Sequence, residues 1–311
     1  MTYQPKVYRK QGGNELVVAS GGQITVESGG AVVFPNPSGG VDYYVDGNSG
    51  ADTNDGLTWA TSFVTVAAAM AASHANIAAS STGWAARNRI FIKGDDFVET
   101  LVALAQKTDV IGVGSSDNYP YACIRGNHVP INGAMGCRFI NVRFRPTASA
   151  DLIVLASTTG GGVEFHHCLF DAHYGAFTAP SAIDSTASQY VKICDCDFLG
   201  AFSGDVIDIG AGSVLGMQIT DNRISGGAND GIIVTDTTTV VQGRRGLIAR
   251  NYIDVAKVTI NDGEDSTFAV IDNRCISAAA YGATSHVITD AFASGNYVTG
   301  NGTMHAVPAV T

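Results

Sequence analysis

Charge is what this sequence has least of. Asp, Glu, Lys and Arg make up 15% of its 311 residues, and acid outweighs base to leave a formal net charge of −10 and a pI near 5.0. Such a chain lacks the basic face that a phosphate backbone or an anionic bilayer requires, so neither nucleic acid nor a membrane surface is an expected partner. It also lacks any apolar run of about 18 residues, so no transmembrane helix is expected. Met1 to Lys6 carries no signal-peptide apolar region, and Cys168 and Cys196 read as small buried hydrophobes, which fits assembly in a reducing cytoplasm. The six cysteines follow neither a zinc spacing nor a small disulfide framework. No metal and no cofactor are expected.

What is present is a 45% apolar content, 37 glycines and many Val, Ile and Thr. That balance favours an all-β protein with frequent tight turns. One motif recurs down the C-terminal two-thirds of the chain: apolar-x-x-(Asn or Cys)-x-apolar. It places Cys168, Cys196, Asn222, Asn251, Asn273 and Asn296 at intervals of 28, 26, 29, 22 and 23 residues. Cys137 to Phe144 is a looser, earlier copy. A period in the twenties with a polar or thiol residue at one phase predicts a solenoid. A second apolar column, through Ile183, Ile207, Ile233, Ile260 and Ile288, keeps step with the first. Each coil therefore has at least two strands, paired in parallel with those of the next coil.

Three segments are expected. Residues 1–40 form a short β-rich arm, with two Ser-Gly-Gly units (Val18 to Ile24 and Val26 to Val32) too short to fold alone. Residues 41–89 form a cap, with a helix through Phe63, Val66, Met70 and Ile77 started by Ser62 or Thr65. It would cover the open strand edges at the solenoid's end. Residues 90–311 form the coils.

These columns resemble the right-handed parallel β-helix of the pectin-lyase-like superfamily. Tyr44 to Thr61, with its Asp46-Gly47-Asn48-Ser49-Gly50 turn, is similar to the entry cap of that group. The resemblance implies an all-β, right-handed parallel β-helix with an N-terminal capping helix. It leaves activity open, because that superfamily includes polysaccharide lyases, glycosidases, phage tailspikes and silent virion proteins. Tyr3 to Gly13, leading into Leu16 to Gly22, resembles the start of small phage head-associated proteins. That likeness implies a virion location and an anchor on the major capsid protein or another virion protein. Contact would be made through Tyr3, Tyr8, Arg9, Leu16, Val18, Ile24 and Val26, in a homo-oligomer with a trimer favoured.

The ladder residues suit a structural role, because a buried Asn at a bend can satisfy backbone groups of its own and adjacent coils. Asp184 and Asp208 both follow the second strand column and would lie on neighbouring coils, with Asp205 and Asp230 nearby. Paired carboxylates can act as acid and base on a glycoside, or bind a cation through oxygen. No basic residue flanks them in sequence; Lys192 and Arg223 are possible partners across the coil. His166 and His167 alternate in direction along a strand, so they cannot share a metal. Tyr252 and Tyr297 share one phase, which predicts stacking between coils. The leading expectation is a phage capsid decoration protein assembled in the host cytoplasm. The alternatives are a tailspike-like polysaccharide lyase or glycoside hydrolase, or a non-catalytic module for a host surface glycan.

Overall fold

The structure is a computed structural model. It describes residues 7–9, 16–18, 24, 39–79, 86–116, 119–120, 122–131, 135–155, 161–173, 177–185, 188–210, 215–227, 229–236, 245–254, 258–262, 267–275, 286–288, 292–294, 297–300 and 303–306. The chain divides into two compact units, Met1–Pro35 and Asn36–Thr311. In the first, Val7–Arg9 pairs antiparallel with Leu16–Val18, and Val18 and Ile24 are exposed. Tyr3, Val26 and the Ser-Gly-Gly turns lie outside the described residues.

The second unit is a parallel β-helix. Among the described residues, two sheets of ten strands and one of six stack coil on coil, except that the last strand of the second sheet, Thr303–Ala306, folds back antiparallel on Tyr297–Gly300. One coil shows the path. Lys192–Cys194 lies in the first sheet, Asp197–Phe202 in the second and Ile207–Ile209 in the third, and the chain returns to the first sheet at Gln218–Thr220. The strand Asp42–Val45 is the terminal strand of the first sheet, so the cap and the coils share hydrogen bonding. The helix Val66–Ala79 packs on Asp42–Val45 and Asn88–Ile92, burying Val66, Ala69, Met70 and Ile77. Thr65 caps it, its hydroxyl accepting from Ala68 N. The Glu99 carboxylate reinforces that start by accepting from Val66 N and Ala67 N, both at 2.8 Å. No helix among the described residues is long and apolar enough to cross a membrane.

Two bends fix each coil, and both need a left-handed residue. Between the first and second sheets the slot holds Asn141, His167, Asp195, Asp221, Arg250 and Asp272, with φ between 52° and 60°. The next residue is the ladder position: Val142, Cys168, Cys196, Asn222, Asn251 and Asn273. The return bend into the first sheet has its own left-handed column of Lys107, Gly136, Gly162, Tyr190 and Gly216. Gly216 is needed twice over there, since a Cβ on it would sit 2.3 Å from the Tyr190 ring.

The Asn ladder is a continuous hydrogen-bond chain. Asn222 donates through Nδ2 to Ile193 O and to Asn251 Oδ1, both at 2.9 Å, and its backbone N donates to the same oxygen. Asn251 repeats the pattern one coil on, to Ile219 O and Asn273 Oδ1. In the coils before, a thiol takes the donor role: Cys196 Sγ reaches Phe165 O at 3.5 Å, and Cys168 Sγ reaches Phe139 O at 3.4 Å. The core beside these coils is aromatic. Phe139 stacks on Phe165, and Phe144, Phe170 and Phe198 form a second stack. Asn296 lies outside the described residues.

The second apolar column differs from expectation in phase. Ile183 pairs with Ile207, but Ile207 pairs with Ile232 rather than Ile233. Ile232 and Val234 are buried while Ile233 faces outward beside Asp208. The run Ile232-Ile233-Val234 is apolar at both phases, so hydrophobic pattern alone cannot fix its register.

Asn251→Ala removes the acceptor of two Asn222 donors and leaves Ile219 O without its side-chain partner. It is expected to lower unfolding stability by about 2–3 kcal/mol, because buried polar groups lose their partners. Urea denaturation checks this, and an unchanged midpoint would make the ladder energetically idle.

Candidate functional site

The outer face of the third sheet carries the candidate site. Strand register runs Val154, Asp184, Asp208, Ile233 across four neighbouring coils. In Ile183–Ser185 and Ile207–Ile209 the flanking residues are buried, so both aspartates point outward. Their backbones are about 4.8 Å apart, as adjacent strands must be. Each carboxylate therefore has a like charge on one side and an aliphatic side chain on the other. Burial, followed by the charges of Asp184, Asp205 and Asp151, pushes the Asp208 carboxyl up to about 6. Burial and then Asp151 raise Asp184 as well. Asp184 Oδ1 is buried with no hydrogen-bond partner. Asp208 thus releases its proton near pH 6, in the range where a carboxyl can act as a general acid.

Asp205 and Asp230 occupy a different position. They sit at the corner entering the third sheet, two residues before the buried Ile207 and Ile232, in line with Asp151 and Ser181. Asp151 Oδ1 accepts from Ser181 N, and Asp205 Oδ1 accepts from Asp230 N, both at 2.9 Å. These carboxylates tie each corner to the next coil, as Asn does at the opposite bend. Lys192 and Arg223 are not beside the pair. Lys192 is in the first sheet, bound to Glu164 at 3.1 Å, and Arg223 is in the second sheet, next to Asp197.

The first sheet carries a charge ladder that the sequence reading missed. Register lines up Asp42, Arg89, Asp109, Arg138, Glu164 and Lys192, alternating in sign over six coils. Arg89 meets Asp42 at 2.6 Å, and Arg138 meets Glu164 at 3.1 Å. The His166 hydrogen bond, with Lys192 and Arg138, outweighs burial and holds the Glu164 carboxyl down at about 2. A carboxylate so firmly ionised is a structural anion rather than a proton donor. The signal was available: these residues share one phase of the repeat, but it emerges only once the strands are set in register. His167, beside this row, fills a left-handed bend and faces solvent. The expected tyrosine stripe is interrupted, since Arg274 lies between Tyr252 and Tyr297 in register, with its guanidinium 5.6 Å from the Tyr252 ring centre.

The raised Asp208 carboxyl binds its proton more tightly in the fold than in the unfolded chain. Its stabilising contribution is complete at acid pH and is lost as pH rises through about 6. Asp208→Asn removes the ionisation, so it should stabilise by about 1 kcal/mol at pH 8 after allowance for solvent screening, and by only a small fraction of that at pH 4. Urea midpoints at the two pH values decide this. A variant that is less stable at pH 8 would mean the carboxylate has a favourable partner.

No family model, no curated protein and no solved structure matches the chain, so fold and site stand on their own geometry.

Proposed function

We propose that the chain is a phage virion structural protein, a capsid decoration protein whose N-terminal arm attaches it to the major capsid protein or another virion protein and whose β-helix is displayed. The observation that carries this reading is the division of the chain into a small unit, Met1–Pro35, and a β-helix, Asn36–Thr311. The small unit's described structure is a pair of three-residue strands with Val18 and Ile24 exposed. So short a ribbon needs a surface or copies of itself to gain order. The polar groups of the β-helix point the same way. Its corner aspartates, Asn ladder and charge ladder are bound within the fold, as a passive and rigid scaffold requires. Deleting residues 1–40 should abolish incorporation into purified particles and turn the free protein from trimer to monomer in light scattering. Normal incorporation of the truncated chain would sink this role for the arm.

A second reading is favoured by one observation, the raised Asp208 carboxyl beside Asp184. It makes the β-helix a glycan-cleaving module with Asp208 as the acid/base and Asp184 as the nucleophile. Neighbouring-coil spacing is nearer the roughly 5 Å of retaining glycosidases than the wider gap of inverting ones. This reading predicts reducing-sugar release from a host polysaccharide with retained anomeric configuration, falling at least about 100-fold in Asp208→Asn. No release across a broad polysaccharide panel eliminates it.

A further inference from the structure

We infer that the cap carries a binding site for a neutral hexose unit of a glycan, built around Trp59 and Lys93 and separate from the aspartate pair. The site is an open cleft of about 570 Å³, lined among the described residues by Asp46, Trp59, Lys93, Gly94, Val113 and Gly114. It lies where three consecutive first-sheet strands end, because Asp46, Lys93 and Val113 each directly follow one of them. Its volume falls in the range of small-molecule sites.

Two features give it chemistry. The first is a fixed aromatic wall. Trp59 is 42% exposed, an uneconomical place for an indole in a chain with two tryptophans. Its ring rests on Tyr44 at 4.8 Å, and Tyr44 stacks on Phe91 at 5.6 Å. The turn that carries it is held at several points. Thr61 N donates to Thr58 Oγ1, Thr61 Oγ1 donates to Asp55 Oδ1 at 2.6 Å, Gly56 N donates to Thr61 O, and Tyr44 N donates to Gly56 O. The indole is therefore presented rather than loosely exposed, which lowers the ordering cost of binding.

The second feature is a neutralised donor. Asp46 is buried, and its Oδ2 accepts from Lys93 Nζ at 2.6 Å, while its Oδ1 accepts from Asn48 N and Ser49 N. The carboxylate anchors the ammonium at the cleft, and the lysine side chain stays 54% exposed. An ammonium has three donors, so N–H groups remain for a ligand, but the pair's net charge is zero. A free anion gains little from such a pair. An uncharged hydroxyl acceptor gains a charge-assisted bond without bringing a charge to desolvate. Gly94 and Gly114 add floor without side chains, and a Cβ on Gly114 would meet open space. An aromatic ring and a hydroxyl-binding donor lining one cleft match a pyranose, whose C–H face would lie on the indole while its hydroxyls reach Lys93.

This inference does not depend on the arm's role or on catalysis by Asp208. The test titrates the full chain with glucose, galactose, mannose and N-acetylglucosamine, with glucuronate and benzoate as anionic and aromatic comparators. Tryptophan fluorescence and saturation-transfer NMR report binding. At least one neutral hexose should saturate in the millimolar range and shift the emission. Trp59→Ala should weaken that binding about tenfold or more and Lys93→Met severalfold, with a cooperative thermal transition confirming that each variant is folded. Absence of saturation by every neutral sugar overturns the proposal. So does preferential binding of glucuronate or benzoate, or undiminished binding in Trp59→Ala.

Discussion

Every part of the β-helix answers to one constraint, the in-register parallel stacking of successive coils. Parallel strands about 4.8 Å apart place each residue directly above the residue of the same phase in the next coil. A side chain must therefore be compatible with its own kind. Phe meets this by stacking face to face, as Phe170 does on Phe198 at 4.6 Å and 4°. Asn meets it because its amide donates at one end and accepts at the other, so Asn222, Asn251 and Asn273 chain without limit. Charge cannot meet it by repetition. It must alternate, and the first sheet alternates from Asp42 to Lys192.

Against that rule, Asp184 over Asp208 is the arrangement stacking disfavours. It is made worse by the aliphatic neighbours Val154 and Ile233 in the same column. Elsewhere a like-charged neighbour is relieved by an acid: Arg125 lies beside Arg145 in register and meets Asp96 at 2.9 Å. For the aspartate pair, the causes that shift Asp208 include no cation. Burial, and after it the neighbouring aspartates, hold the Asp208 proton up to about pH 6. This is a local cost beside an Asn ladder and corner aspartates whose hydrogen bonds are made, and such conflicts concentrate where a surface has a task beyond stability.

How much of this was legible in the sequence depended on which residues hold only one meaning. The Asn and Cys positions were legible because a polar or thiol residue repeats among apolar ones, and the motif carried the fold with it. Asp184 and Asp208 were legible as neighbours because each follows an isoleucine at one interval. The phase of Ile232-Ile233-Val234 was not, since all three residues suit the core. The return-bend column was hidden because Lys107, Gly136, Gly162, Tyr190 and Gly216 share a backbone angle and no chemistry. The charge ladder was hidden because its members lie in different coils, from 20 to 47 residues apart, and acquire meaning only through pairing. Trp59 beside Lys93 was hidden for the same reason, since a turn and a strand end meet only in the fold.

The two halves of the ladder are stabilised by different means, and the two means compensate. A thiol donates one weak hydrogen bond and cannot replace the amide that takes two N–H groups from the coil before. Where the ladder position is Val142, Cys168 or Cys196, the adjacent core residues are Phe139, Phe144, Phe165, Phe170 and Phe198, whose burial and stacking bring large apolar areas together. Where the ladder becomes Asn222, Asn251 and Asn273, the same core columns become Ile219, Ile224, Ile248, Ile253 and Val270. These bury less area per coil, and the amide chain supplies what the aromatic stack no longer does. Both solutions satisfy one geometry at the bend, where Asn222 Oδ1 accepts from Cys196 N at 2.9 Å, and the same two coils shift register only further along, between Leu199 and Phe202.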